Sequence, residues 1–537
     1  MSKQSKKPSF LGGAAALAAA VAIVKVIGAV YKIPFGNIVG SQGQTYFNVA
    51  YNIYNVLLTI STAGLPLAIS KLTSQAHAQG RENQKRKIFR TAIWLFFVLG
   101  LAGSALMYFG AAQLADLIHE PLGFWPIRAL APAVFCVCLL ACMRGYTQGQ
   151  GNMTPTAISQ VLEALCKVCI GLPLAWYLLK MGMGLDIGAA GAIFGVTVGT
   201  MLSMLFLIVY LATHRDRTES LDTPESSGSI MRQVLAIGVP ITLSNSAMSI
   251  ITLVDTSNVL GRLQTIPELA DSAATLFGQY QFGMNLINLP PSFVFPVTMS
   301  LIPFAAAAIT RRDAVEADRI VSSAFRIVSV LAIPAGVGLS VLGGSALLML
   351  YPAQYTDALA AGPHMRWLGI ACIFICLMNL TNAILQTYGK EHLPIITVII
   401  GGITKIILNY ILVGNPAINI HGAPISTLCC YAVIVILNLA FVWKYSLKKP
   451  RYLQLFAKPV LASVLMGGAA WAVHGLTLQV LTGGEDAYGA NALATIIGIG
   501  AGVVVYAILV VALQILRAED LQSIPHGAKL AALLHLK

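Results

Sequence analysis

Charged residues are scarce in this chain. Asp, Glu, Lys and Arg together make up 10% of its 537 residues, whereas 57% are hydrophobic. A soluble protein of this length covers its surface with polar side chains, and so few charges cannot do that. The composition excludes a soluble globular protein and is typical of a chain for which lipid replaces water as the solvent.

The motifs of several enzyme classes are also missing. There is no G-x-x-x-x-G-K-[ST] loop for a nucleotide phosphate and no G-x-S-x-G nucleophile elbow. The nine cysteines lie in apolar segments without the histidine spacing of a zinc site, so we interpret them as packing residues. We therefore expect no enzymatic activity, no metal and no cofactor, with energy from the membrane potential, Na⁺, H⁺ or the substrate gradient.

What the chain has in abundance is long apolar runs, and about 20 such residues suffice for a membrane-spanning helix. Six runs come before a polar linker, at 11–38, 46–70, 91–112, 123–143, 155–179 and 187–213. Six more follow it, at 231–258, 274–308, 320–349, 364–388, 394–413 and 423–443. A last pair lies at 455–478 and 488–515. The sequence therefore predicts an all-α polytopic membrane protein with about fourteen transmembrane helices.

These runs define the predicted domains. They are an N-terminal lobe at 1–213, a cytoplasmic linker at 214–230, a C-terminal lobe at 231–446, and a helix pair with a cytoplasmic tail at 447–537. Most of the 34 Lys and Arg residues fall in alternate loops on one side, which the positive-inside rule makes cytoplasmic. Both termini are then cytoplasmic. The net charge of +13 is spread over short loops, so we expect the bilayer and no nucleic acid as a partner.

The two lobes contain a repeated segment. RGYTQGQGNMTPTAISQVLEALCK, ending at Lys167, parallels NAILQTYGKEHLPIITVIIGGITK, ending at Lys405. The matched pairs are Gln148 with Gln386, Gly151 with Gly389, Pro155 with Pro394, and Lys167 with Lys405. Because each lobe has an even number of spans, the repeats are parallel, and a substrate is expected between them near the bilayer midplane.

Four lysines within the spans are the principal candidate binding residues: Lys25, Lys32, Lys167 and Lys405. A charge at the bilayer centre costs about 2.5–3.5 kcal/mol, so each needs a partner, a cavity or a function. Lys167 follows Pro155 by twelve residues, about 18 Å along a helix. Lys25 and Lys32 share one helix face, where both can serve one anion, although Lys32 can instead snorkel to the interface.

Two carboxylates also fall within the spans. Glu163 precedes Lys167 by four residues, so the two can pair on one helix face and merely neutralise each other. Asp255 precedes Arg262 by seven residues. That pair can gate the outer mouth, or Asp255 can take a proton or a sodium ion.

Four stretches resemble the multidrug/oligosaccharidyl-lipid/polysaccharide exporter superfamily, within it the stage V sporulation protein B and YtgP group, which is similar to MurJ-type lipid II flippases. The stretches are GAVYKIPFGNIVG, STAGLPLAISKLTSQ, RGYTQGQGNMTPTAISQVLE and VDTSNVLGRL. The resemblance implies two six-helix lobes in a V with alternating access, and two C-terminal helices that shape a groove for a lipid tail.

It further implies a bacterial plasma-membrane protein whose cationic cavity binds a polyprenyl-diphosphate-linked glycan. We expect a monomer that flips an envelope precursor, lipid II above all, to the outer leaflet for peptidoglycan or spore-envelope synthesis. The residues that fit the cavity are Lys25, Lys32, Lys167, Lys405, Asn285 and Asn409. Those that fit a gate or ion coupling are Glu163, Asp255, Arg262 and Arg144.

Three alternatives stay open. A capsule or O-antigen repeat-unit flippase differs from a lipid II flippase only in its glycan, which the sequence hardly separates. A cation-coupled multidrug exporter of the same superfamily should show acidic residues in its lobes, and the lysines favour an anionic substrate instead. A scaffold for envelope assembly would tolerate loss of the intramembrane lysines.

Overall fold

The computed structural model describes residues 10–214, 220–482 and 488–516. These residues form helices and connecting turns, with no strand among them, which confirms the predicted all-α class. The helices before the linker are α1 (Phe10–Thr62), α2 (Leu65–Ala78), α3 (Glu82–Phe109), α4 (Ala111–Leu117), α5 (Phe124–Gly149), α6 (Thr154–Cys166), α7 (Leu172–Lys180) and α8 (Leu185–Thr213). The later helices are α9 (Ser227–Gln264), α10 (Ala273–Ile287), α11 (Leu289–Thr310), α12 (Ala314–Leu350), α13 (Tyr355–Ala361), α14 (Met365–Thr387), α15 (His392–Leu412), α16 (Gly422–Tyr445), α17 (Tyr452–Thr482) and α18 (Tyr488–Ala512).

The chain is a multi-pass membrane protein. Within the described ranges, 11 helical runs are long and apolar enough to cross a membrane, or up to 12 if the bent α9 is counted as one span. One of those runs, Ala19–Ala78, covers 60 residues, which at 1.5 Å per residue is about three times the hydrocarbon thickness. Gly40 interrupts it with φ 71°, a left-handed conformation that glycine readily adopts. The run therefore holds more than one span, and the total of fourteen stays a prediction.

The chain divides into two compact units, Met1–Gly261 and Arg262–Lys537. Most of α9 belongs to the first unit, where Asn52 Nδ2 donates to Thr256 Oγ1 at 2.9 Å and the Thr59 and Ser249 hydroxyls lie 2.9 Å apart. The sequence assigned α9 to the C-terminal lobe because the polar linker precedes it. That division into lobes stays a prediction, whereas the packing divides the chain after Gly261, in the last turn of α9.

The repeated segment forms the same turn in each unit. Gly151 and Gly389 have φ of 78° and 69°, values that a side chain disfavours. The amide of Gly151 donates to the Gln148 carbonyl, and that of Gly389 donates to the Gln386 carbonyl, both at 2.9 Å. The matched glycines and glutamines thus build equivalent turns before α6 and α15.

The end of the linker is attached to α3. The Asp222 carboxylate accepts hydrogen bonds from the amides of Asn83, at 2.9 Å, and Gln84, at 2.8 Å, in the first turn of that helix. Desolvation opposes ionisation of Asp222, but these bonds, one from the Ser220 hydroxyl and the charge of Arg81 outweigh it and lower its pKa. The carboxylate therefore acts as a cap for α3.

Three predicted segments lie outside the described residues. They are the basic N-terminal residues at 1–9, the part of the linker at 215–219, and the C-terminal tail from residue 517.

Candidate functional site

The first unit contains a cavity of about 460 Å³ among α1, α5, α6 and α8. Its volume falls in the range of small-molecule sites. The cavity is lined by four of the residues that the sequence singled out: Lys25, Arg144, Glu163 and Lys167. The structure thus brings together groups that are spread over more than 140 positions of sequence. Their roles in binding or coupling stay predictions.

Lys167 lies against three aromatic rings of α1. Its Nζ is 4.5 Å from the ring centre of Tyr31, 4.8 Å from that of Tyr51 and 5.5 Å from that of Phe47. The negative faces of such rings attract an ammonium group, by about 2 kcal/mol or more where water is excluded. The aromatic residues, which we call the aromatic trio, therefore hold the Lys167 charge at the wall of the cavity.

A short π-helical turn, Lys167–Gly171, separates α6 from α7. Pro173 follows it by two residues, and a proline lacks the amide hydrogen and clashes with the carbonyl four residues earlier. Wider turns of this kind often occur at functional positions. The turn begins at the lysine that lines the cavity, and the nearby proline was the sequence signal for it.

Glu163 is paired with Arg144, not with Lys167 as the helix spacing suggested. Arg144 Nη2 donates to Glu163 Oε2 at 3.1 Å, and Arg144 Nε donates to Ser159 Oγ at 2.9 Å. The prediction compared residues close in sequence, whereas the guanidinium that contacts Glu163 comes from α5. A guanidinium offers several directed donors and so competes well for the carboxylate.

The two candidate lysines of α1 differ in their exposure and in whether they line the cavity. Lys25 is exposed and lines the cavity, while Lys32, two turns further along α1, is half-buried and outside that lining. Gln160, which sequence reasoning missed, also lines the cavity, and its Oε1 is buried without a hydrogen-bond partner. A buried carbonyl oxygen in that position can accept a hydrogen bond from a ligand.

The remaining candidates lie elsewhere. Lys405 is half-buried on α15, Asn409 on the same helix is fully buried, and Asn285 is buried on α10. Asp255 is buried on α9 in the first unit. The Arg262 guanidinium, in the second unit, lies 4.2 Å from the ring centre of Tyr410, so a cation–π contact accounts for part of its environment.

The second unit carries an apolar groove of about 510 Å³. It is lined by α11, α12, α17 and α18, including Pro290, Leu339, Met466, Val503 and Tyr506. Such a surface suits a hydrocarbon chain. It lies beside the last two long helices, where the resemblance implied a groove for a lipid tail, and that role stays a prediction.

The comparison that decides the family covers the first part of the chain. A family model described as "Polysaccharide biosynthesis protein" matches residues 10–307, which is more than half of the sequence. The chain belongs to this family. This family match, together with the relatives and solved structures that follow, confirms the resemblance that the four sequence stretches indicated.

Curated relatives of the family extend over nearly the whole chain. Stage V sporulation protein B of Bacillus subtilis (strain 168) is 23% identical over 529 residues, which is 97% of this chain and 98% of the relative. Lipid II flippase MurJ of the same organism is 24% identical over 440 residues, 79% of this chain and 80% of that one.

Solved structures of the superfamily share the fold. Lipid II flippase MurJ in an inward closed conformation aligns with a TM-score of 0.65 and 16% identity, covering 94% of this chain and 99% of that one. A multidrug resistance MATE family transporter in its inward-facing conformation aligns with a TM-score of 0.64 and 16% identity, covering 78% and 97%. This chain therefore has a transporter fold common to flippases and drug exporters.

Proposed function

We propose that this chain is a flippase that moves an undecaprenyl-diphosphate-linked envelope precursor, lipid II in the first instance, from the inner to the outer leaflet of the bacterial plasma membrane. It acts as a monomer with both termini in the cytoplasm and performs no covalent chemistry. The observation that carries the proposal is the charge of the first-unit cavity. Lys25, Lys167 and Arg144 line it, and the one carboxylate among the described lining residues is that of Glu163.

A cavity with this charge suits a diphosphate. Moving such an anion into hydrocarbon is prohibitive unless its charge is compensated. Because Arg144 is occupied by Glu163, the lysines Lys25 and Lys167 supply the excess positive charge. The aromatic trio keeps the Lys167 ammonium partly desolvated, so that it can exchange its cation–π contacts for a charge-assisted hydrogen bond with phosphate.

The apolar groove of the second unit supports the same class of substrate. A polyprenyl chain is hydrocarbon throughout and gains nothing from a polar cavity. The groove along α17 and α18 offers such a chain an apolar surface. A substrate with both parts requires both kinds of surface.

A cation-coupled drug exporter is the second candidate, since a MATE family transporter shares the fold. Glu163 and the buried Asp255 are the groups that would hold its cation. The pairing of Glu163 with Arg144 disfavours this role, because a neutralised carboxylate attracts a cation weakly. A flippase for a capsule or O-antigen unit would use the same cavity, and only the glycan would differ.

Translocation by proteoliposomes tests the proposal. Purified protein would be reconstituted with fluorescent undecaprenyl-diphosphate muropeptide, and the substrate reaching the far leaflet would be measured by an impermeant quencher. The variants are Lys25→Gln and Lys167→Gln, with Lys180→Gln as the matched control. Lys180 carries the same charge in the same unit but lies 4.8 Å from the Trp176 ring centre, outside the cavity lining.

We expect each cavity variant to lower the initial rate about ten- to hundredfold, since a charge-assisted hydrogen bond contributes about 1.5–3 kcal/mol. The control should stay within about twofold, the range of an exposed charge. Equal rates in all four proteins would refute the cationic cavity. Efflux of a cationic dye with no muropeptide transport would instead favour the exporter, and repeating the assay with imposed potential, Na⁺ or pH gradients identifies the coupling.

A further inference from the structure

A second polar cavity, which the proposed transport does not use, lies in the second unit. It has a volume of about 900 Å³ and is formed where α12 and α17 begin and α18 ends. We call it the cationic pocket because six basic side chains line it: Arg319, Arg326, Lys448, Lys449, Arg451 and Lys458. This end of the unit is the one that the sequence predicts to be cytoplasmic.

The basic side chains outnumber the nearby carboxylates. Asp318 is the acidic residue in the described lining, and it accepts a contact from Lys448 Nζ at 2.8 Å. Glu316 contacts Arg319 at 2.7 Å. Beyond these two pairs, Lys449, Arg451 and Lys458 add three positive charges to the described lining, which gives the cavity a positive field.

The local backbone adds to that field. Helix α17 begins at Tyr452, directly after Arg451, so the positive end of a helix of 31 residues is directed at the pocket. Lys458 lies one to two turns further along and donates to the Leu513 carbonyl at 2.8 Å, which holds α18 beside it. Amide groups at a helix start together with basic side chains form an arrangement that binds phosphate.

The surroundings of the pocket are apolar on the side of α17 that faces outward. Leu453 is 83% exposed and belongs to the lining, and Val460 and Leu461 on the same helix are exposed as well. An exposed apolar helix face in a membrane protein is covered by lipid chains. A molecule that fills the pocket with a phosphate and covers this face with hydrocarbon is a phospholipid.

The positive-inside rule alone does not explain why basic residues line the cationic pocket. The positive-inside rule needs basic residues in a loop, but it does not need them to line a cavity contributed by three helices. Arg326 is half-buried within α12, more than 120 positions before the Lys448–Arg451 segment in sequence, and yet lines the same pocket.

We propose that the cationic pocket binds the phosphate of an anionic phospholipid from the surrounding leaflet, whose acyl chains lie against the outward face of α17. Anionic lipids are attracted by clustered basic residues near a membrane surface. The site lies wholly in the second unit and concerns a lipid that stays in its leaflet. It does not depend on what the protein transports.

The test compares lipid binding to full-length protein. The pocket variant is Lys449→Gln/Arg451→Gln/Lys458→Gln. The matched control is Lys71→Gln/Lys87→Gln/Arg90→Gln, which removes the same charge from the first unit, on the face that is also predicted to be cytoplasmic. Native mass spectrometry from detergent would measure bound phosphatidylglycerol, with phosphatidylcholine as the uncharged lipid. Lys458→Gln alone serves if the triple variant is not monodisperse.

We expect the wild type and the control to retain one tightly bound phosphatidylglycerol, and the pocket variant to bind it at least about tenfold more weakly. Phosphatidylcholine should not compete. Equal weakening in control and pocket variant, or equal binding in all three, would overturn the proposal.

A second arm separates the lipid from a soluble phosphate. Glycerol 3-phosphate titrated into the wild type by calorimetry should bind at least about a hundredfold more weakly than phosphatidylglycerol, because it lacks the acyl chains. Equal affinities would show a site for a soluble phosphate ester and reject the phospholipid. Neither arm measures transport, so a failed flippase assay leaves this test intact.

Discussion

At the scale of single residues, Gly64 marks the tightest approach between α9 and the break after α1. A Cβ at this position would lie 2.0 Å from the Gly238 carbonyl oxygen and 2.8 Å from the Thr242 amide nitrogen. Both atoms belong to the backbone of α9 and cannot move aside. The Gly64 amide also donates a hydrogen bond to Thr242 Oγ1 at 3.2 Å. Glycine is required here for space.

Gly64→Ala should therefore destabilise the protein or displace α9. Overpacking of this kind costs about 1–3 kcal/mol, sometimes more. The control is Gly468→Ala on α17, where a Cβ would meet nothing within 4 Å and helix propensity favours alanine by up to about 1 kcal/mol. Thermal unfolding in detergent measures both, and similar melting temperatures for the two variants would contradict the close approach.

The pair formed by Arg144 and Glu163 makes a second prediction at this scale. Arg144→Met leaves the Glu163 carboxylate inside the membrane without its 3.1 Å partner. The free energy of unfolding should fall by about 2 kcal/mol. Adding Glu163→Leu should restore part of it, because the unpaired charge is then gone.

A double-mutant cycle by denaturant titration checks this prediction. Arg144→Met, Glu163→Leu and the double variant are compared with the wild type. A coupling energy near zero would mean that the pair contributes no stability, and that Glu163 remains available for a coupling ion.

At the scale of elements, the helices could largely be predicted from sequence, because a span needs a long apolar run and little else. The predicted spans at 187–213 and 423–443 differ from α8 and α16 by no more than two residues at each end. The side-chain partners could not be predicted in this way. Glu163 is followed four residues later by Lys167, in the π-helical turn after α6. The arginine that binds Glu163 comes from α5, and helix spacing carries no information about neighbouring helices.

The turn between α4 and α5 holds a carboxyl group with an unusual titration. Glu120 is 6% exposed, and its burial raises the pKa to about 7, although a hydrogen bond from the Leu122 amide opposes the shift. Folding therefore favours the protonated form. In the unfolded chain the group ionises near its ordinary value of 4.5.

The stability contribution of Glu120 should be present below about pH 4.5 and decline as the pH rises to about 7, because only the native state holds the proton in that window. Above about pH 7, Glu120 is ionised in both the native and the unfolded state, so its contribution to stability no longer changes with pH. Glu120→Gln should remove this slope and be more stable than the wild type at pH 8. Melting temperatures from pH 5 to 8 measure it, and parallel curves for both proteins would argue against a buried titrating carboxyl.

At the scale of the whole molecule, the repeated segment was the sequence feature that related the most distant parts of the chain. It predicted equivalent positions in two parts of the chain, and both parts contain the turn with a left-handed glycine. It did not indicate where the compact units divide, because the polar linker is a composition signal whereas packing depends on shape. The contacts of α9 with Asn52 and Thr59 are short polar pairs that leave no pattern in the sequence.

The orientation of the whole chain is the last prediction. Lys444, Lys448 and Lys449 precede α17, so the positive-inside rule keeps that end in the cytoplasm and sends the α17–α18 connection outside. Alkaline phosphatase inserted between Thr482 and Tyr488 should be active in cells, whereas the enzyme inserted at the 214–230 linker should be inactive. A green fluorescent protein fused after Lys537 should fluoresce.

Changing Lys444, Lys448 and Lys449 to Gln together should weaken the preference of the α17–α18 connection for the outer side, because loop lysines and arginines set the orientation. An active phosphatase at the linker in the unaltered protein would reverse the predicted topology, and with it the side of the membrane on which the cationic pocket meets its lipid.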